Sequence, residues 1–214
     1  MKSFFVMLMC ARAAAALTVA EVQDNIRQQD RQIECVSFEY SQETRSSLSP
    51  EVVRVSGEAY FKKPNSLRVE QIKPERQLIV GSGKSVHLYT PRFNQVLRDS
   101  WKAWSRKNSF LPGLFGSSGT LERLKKDFRW SMHASDSSMN GDTVGVLLES
   151  KTKGSDERIR LWLGAVDFIP RKAEYSSGGL SLITTLASLK INPDLDPGLF
   201  QFVLPKGAVL IQAP

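Results

Sequence analysis

Hydrophobic and polar positions alternate with a period of two over most of the chain. Val36, Phe38 and Tyr40 are separated by Ser37, Glu39 and Ser41, and Val52–Phe61 continues in the same manner. Leu67 and Val69 alternate with Arg68 and Glu70, and Leu78-Ile79-Val80 is a short apolar run. Successive side chains of a strand point to opposite faces, so this pattern predicts half-buried strands. Further strands are expected at Ser85–Tyr89, Phe128–Ala134, Thr143–Glu149, Glu157–Gly164, Arg171–Tyr175, Ser181–Leu189, Phe200–Leu204 and near Val209. Ser82-Gly83 reads as a hairpin turn, and Pro64, Pro74 and Pro91 punctuate the strands because proline cannot donate to a ladder.

Two regions depart from that rhythm. Val19, Val22 and Ile26 recur at helical intervals after Thr18 and Glu21, whose spacing is that of a capping box. A helix over Thr18 to Arg31 follows. Between Trp101 and Phe128, glycines and Pro112 interrupt the apolar residues, and Leu121, Leu124 and Phe128 then return at helical spacing. Two short helices are expected there. The fold class is mainly β (α+β): about eleven short strands in one antiparallel sheet that curls toward a barrel.

With 214 residues, 41% hydrophobic and 24% charged, the chain suits one ordinary globular domain. Residues 1–16 have the composition of an export signal: Lys2, the apolar stretch Ser3–Cys10, then the small residues Ala13 to Ala16. Cleavage after Ala16 leaves a single domain over 17–214. The apolar run is too short to span a bilayer, which takes about 20 residues. Met9 before Cys10 is not the small residue that a lipidation site requires. Loss of Cys10 leaves only Cys35, so the mature chain has no internal disulfide. The net charge of +7 becomes +5, from 27 basic and 22 acidic residues, and the dense cluster Arg123–Lys126 reads as a solvated helix face.

Catalytic and cofactor signals are weak. Gly81–Ser85 looks like the end of a phosphate-binding loop, but Leu78 stands where its first glycine belongs, and the following residues alternate like a strand. His87 and His133 are isolated, and no cluster has metal-ligand spacing. The expectation is a non-enzymatic protein with no cofactor. Tyr60, Phe61, Lys62 and Lys63 interleave aromatics with cations as single-strand nucleic-acid binders do, yet the apolar residues of adjacent strands indicate an inner face, not a stacking platform. No nucleic-acid partner is expected.

The stretch Gly57-Glu58-Ala59-Tyr60-Phe61-Lys62-Lys63-Pro64-Asn65 resembles the second-strand motif of the outer-membrane lipoprotein carrier family, LolA. Phe38–Gln42 resembles its first strand and Phe200–Gly207 its C-terminal one; Leu67-Arg68, Lys73-Pro74, Leu78–Val80, Gly83-Lys84, Tyr89 and Gln95-Val96 follow its cadence. The resemblance implies an incomplete β-barrel with a helical lid over an apolar cavity. It also implies a periplasmic, monomeric carrier. Such a carrier takes acylated lipoproteins from an inner-membrane ABC transporter and delivers them to an outer-membrane receptor. Two other roles for the same half-barrel are a lipid- or lipoprotein-sensing regulatory domain and a carrier of free lipids or glycolipids.

By alternation, the candidate lipid-binding residues are Phe38, Tyr40, Phe61, Leu67, Val69, Ile79, Ile159, Leu161 and Leu163. Phe110, Leu111, Leu114 and Phe115 are the candidates for the lid. In the family an arginine that tethers the lid precedes the motif's proline; here Lys63 holds that place, and a lysine lacks the planar fork of arginine. Lys63 is thereby the lid-gating candidate. Ser82 replaces an aspartate at the hairpin turn.

Overall fold

The computed structural model describes residues 17–107, 120–136, 139 and 142–213. Residues 1–16 and the four lid candidates lie outside that set. Helix α1 (Val19–Gln32) starts at Thr18, whose side chain accepts from the Glu21 amide, while the Glu21 carboxylate accepts from the Thr18 amide at 2.8 Å. This is the capping box expected from the spacing, and it satisfies two amides that the first turn would leave unpaired.

Twelve strands follow: β1 (Cys35–Ser46), β2 (Ser49–Lys62), β3 (Ser66–Lys73), β4 (Gln77–Ser82), β5 (Ser85–Thr90), β6 (Gln95–Ser100), β7 (Phe128–His133), β8 (Thr143–Ser150), β9 (Arg158–Gly164), β10 (Pro170–Ser177), β11 (Leu180–Ile191) and β12 (Val209–Gln212). Helices α2 (Trp101–Lys107) and α3 (Thr120–Asp127) lie between β6 and β7. The strands form one sheet in the order β12-β6-β5-β4-β3-β2-β1-β11-β10-β9-β8-β7. β12 and β7 stand at its two edges, so the barrel is incomplete.

Two details differ from the sequence reading. Phe200–Leu204 is not a strand: Pro197–Phe200 forms a 3-10 turn capped by Asp196, and the following residues are irregular. A strand at Gln95–Ser100 appears instead, held by β5, although its own sequence is largely polar. The sheet is antiparallel throughout except where β12 pairs parallel with β6. The Ser82-Gly83 hairpin is present, with Gly83 at φ +62° and Ser82 opposite Ser85.

The two faces differ in chemistry, and the difference fixes which one is inside. On the outer face Glu43 binds Arg54 at 2.8 Å and Arg45 at 3.2 Å, Arg160 binds Glu174 at 2.9 Å, and Arg68 binds Glu70 at 2.5 Å. Charges of this kind stay in contact with water because desolvating them is costly. The opposite face is apolar and carries both hydrophobic clusters.

Candidate functional site

The first cluster lies on the β1–β4 half of the inner face. Phe38 and Tyr40 project from β1, Ala59 and Phe61 from β2 and Leu67 from β3, with Val69 and Ile79 packed at its margin. Strand register places them side by side: Phe61 is opposite both Val36 and Leu67, and Val69 is opposite both Ala59 and Ile79. Ile33, just past the end of α1, and Trp101 and Trp104 of α2 cover this half. Gly81 makes room for the cover, because a Cβ there would come within 2.5 Å of the Trp101 ring.

The second cluster lies on the β7–β10 half. Ile159, Leu161 and Leu163 of β9 join Val146, Leu148, Phe128 and Ala173. Val22 of α1 is fully buried against them, and Ile26 and Leu124 add to the cover. All nine predicted inner-face residues therefore share one face, divided between two adjoining clusters. The sequence reading missed Trp101, Trp104, Val146, Leu148 and Leu186. Alternation within Thr143–Glu149 was a usable signal for two of them; for the tryptophans there was none.

Between the apolar clusters, Gln42 and Thr184 face each other across β1 and β11, and the Gln42 amide donates to the Thr184 hydroxyl at 3.1 Å. Thr184 is only 1% exposed, and the bond satisfies a polar group that burial would otherwise penalise. Burial holds the Tyr40 hydroxyl above its ordinary range, so it stays neutral.

Lys63 sits at the other end of α1 from the capping box. Its ammonium donates to the Asp30 carbonyl and lies 3.5 Å from the Asp30 carboxylate. A cation at the C-terminal end of a helix is favoured by the helix dipole. The lysine thus anchors α1, which covers the second cluster.

Outside the sheet, Arg68 donates to the Leu199 carbonyl at 3.2 Å, and the His87 ring stacks on Phe202. A cavity of about 290 Å³ lies beneath this C-terminal strap, lined by Val80, Ser82, Ser85, His87 and residues 200–202. Cys35 is buried, donates to the Pro193 carbonyl at 3.2 Å, and has its thiol pushed up chiefly by burial. Among the described residues no group of His, Cys, Asp and Glu could hold a metal, and no helix is long and apolar enough to cross a membrane.

Comparison with known proteins agrees with this architecture. The family model described as outer membrane lipoprotein carrier protein LolA matches residues 31–203. An outer-membrane lipoprotein carrier protein of Azotobacter vinelandii is 26% identical over 99% of this chain and 100% of its own length. One from Actinobacillus succinogenes is 24% identical over 94% of this chain and 90% of its own. Among solved structures, an uncharacterized conserved protein of Thermus thermophilus superposes with a TM-score of 0.58 at 13% identity, covering 91% of this chain and 98% of that one. MucB superposes with a TM-score of 0.54 at 12% identity, covering 86% of this chain and 62% of MucB. The structural likenesses bear on fold alone; the match across residues 31–203 carries the assignment, and this chain belongs to the outer-membrane lipoprotein carrier family, LolA.

Proposed function

We propose that the mature chain, residues 17–214 after removal of a leader over 1–16, carries acylated lipoproteins through the periplasm by holding their acyl chains against the inner face of the sheet. One observation carries this reading: two apolar clusters, reaching from Leu67 to Leu163, share one face of a sheet whose other face carries ion pairs, in a chain of the lipoprotein carrier family. Each methylene removed from water is worth about 0.8 kcal/mol, so a free triacylated protein is far more stable bound than dissolved. Transfer by burial and release needs no covalent step and no cofactor.

The inner-face side chains are packed against the helices, so loading requires those helices to yield. Lys63 is suited to control the movement of α1, which it holds at Asp30. In this reading an inner-membrane ABC transporter supplies the cargo and an outer-membrane receptor accepts it. Phe110, Leu111, Leu114 and Phe115 add an apolar lid.

The test is titration of chain 17–214 with a fluorescent apolar probe, then with a triacylated lipopeptide. Displacement of the probe by lipopeptide, with neither consumed, supports carriage. Equal displacement by simple lipids favours free-lipid transport instead, and no binding of either rejects both. Lys63→Leu is expected to load cargo and to release it poorly to the receptor; normal hand-over removes the lysine from gating.

A further inference from the structure

Inner-face positions can be followed across the sheet in rows, because each residue has a partner opposite it on the next strand. One row runs Phe38, Ala59, Val69, Ile79, Leu88, Leu97, Ile211, through seven strands from β1 to the edge strand β12. Every position in it is apolar. The adjoining rows are not. On one side Gln71 is opposite Gln77 and Thr90 is opposite Gln95; on the other, Leu67, Gly81 and Val86 lead to Asp99.

Exposure changes along the row. Phe38 and Ala59 are 6% and 3% exposed, Val69, Ile79 and Leu88 are half-buried, and Leu97 and Ile211 reach 39% and 42%. Folded proteins usually blunt an edge strand with charge or proline. This edge carries Val209, Leu210 and Ile211 instead. Packing does not account for apolar side chains at these exposed positions, but a route does. We propose that this single apolar lane is the path along which an acyl chain slides sideways onto and off the inner face, across β6 and β12.

The inference rests on the carrier reading and adds a direction to it. The six strand spacings of the lane, at about 4.8 Å each, make a track on the order of 29 Å. A chain spanning one leaflet, half of a hydrocarbon core of about 30 Å, fits within that length. Gln71, Gln77, Thr90 and Gln95 bound it on one side, Asp99 flanks its outer part at β6 on the other, and a chain moving along the lane keeps apolar contact at every step.

The test follows transfer of a fluorescent triacylated lipopeptide by stopped flow in wild type, Leu97→Asp and Ile211→Asp. A carboxylate in the lane is an obstacle to passage and leaves the deep face intact. Loading and release rates are expected to fall together by about tenfold, with Kd within about threefold of wild type. Leu48→Asp, at the β1–β2 hairpin tip where Leu48 is 94% exposed, is expected to leave both rates unchanged. Unchanged rates in both lane variants overturn the proposal, as does a weakened Kd with an unaltered loading rate. Leu97→Ser and Ile211→Ser are read by the same criteria should either aspartate lower the melting temperature. A wild-type chain that binds no lipopeptide sinks the carrier reading itself, whereas binding with unaltered variant rates sinks only the lane.

Discussion

His87 and Phe202 stack with ring centroids 4.6 Å apart and planes 6° from parallel, joining the outer face of β5 to the C-terminal strap. Burial, and then the nearby Arg98, lower the histidine below its ordinary value of about 6.5. The docked strap therefore holds fewer protons than the undocked one. Strap docking is expected to be fully stable above pH 6.5 and to weaken as pH falls through the window below it. Proteolysis of the C-terminal segment, measured from pH 7.5 to 5, should accelerate on acidification. His87→Gln should flatten that dependence, and an identical slope in the variant would assign it to other groups.

Gly81→Ala puts a methyl group against Trp101, since a Cβ there lies 2.5 Å from the indole. Relieving that clash displaces α2 from the first cluster. A loss of about 1–3 kcal/mol is expected, as for overpacked cores, with a red shift of tryptophan emission. A melting temperature and a spectrum equal to wild type would show that the indole is not held there.

Thr184→Val removes the acceptor of the Gln42 amide from a buried site on the inner face. Leaving that donor unpaired should destabilise the chain by about 1–3 kcal/mol, while Gln42→Leu with Thr184→Val should recover part of the loss. Denaturant unfolding of the two single variants and the double variant gives the coupling energy. Strict additivity would mean that the bond contributes nothing.

Thr18→Ala deletes one half of the capping box, with an expected cost of about 1 kcal/mol. The effect should be read at α1: amide exchange of Val22 and Ile26 should quicken relative to β9. Uniform exchange changes across the chain would indicate general loosening rather than release of the helix.

The strands that carry the candidate site were legible because one face meets apolar neighbours and the other meets water, which imposes a period of two on residues such as Leu67, Arg68, Val69 and Glu70. The same period misled at Phe200-Gln201-Phe202. There Phe200 is buried and Phe202 stacks on His87, so the segment lies over the sheet without joining it. β6 was missed for the converse reason: Arg98, Asp99 and Ser100 give it no apolar face of its own, and pairing with β5 makes it a strand. Neither the parallel sense of β12 nor the seating of Trp101 over Gly81 has a local signature, since each depends on residues distant in the chain.

All ladders of the sheet but two join strands that are consecutive in the chain; the exceptions are β1 with β11 and β6 with β12. During synthesis, β1–β6 can therefore assemble as one meander and β7–β11 as another, each from nearby contacts. The seam in which Tyr40 meets Leu186 waits for most of the polypeptide to be made. Closing it carries the largest loop-entropy penalty, so the seam is expected to govern the folding rate. Until it closes, the β1 edge is the segment of the nascent protein most open to pairing with the wrong chain.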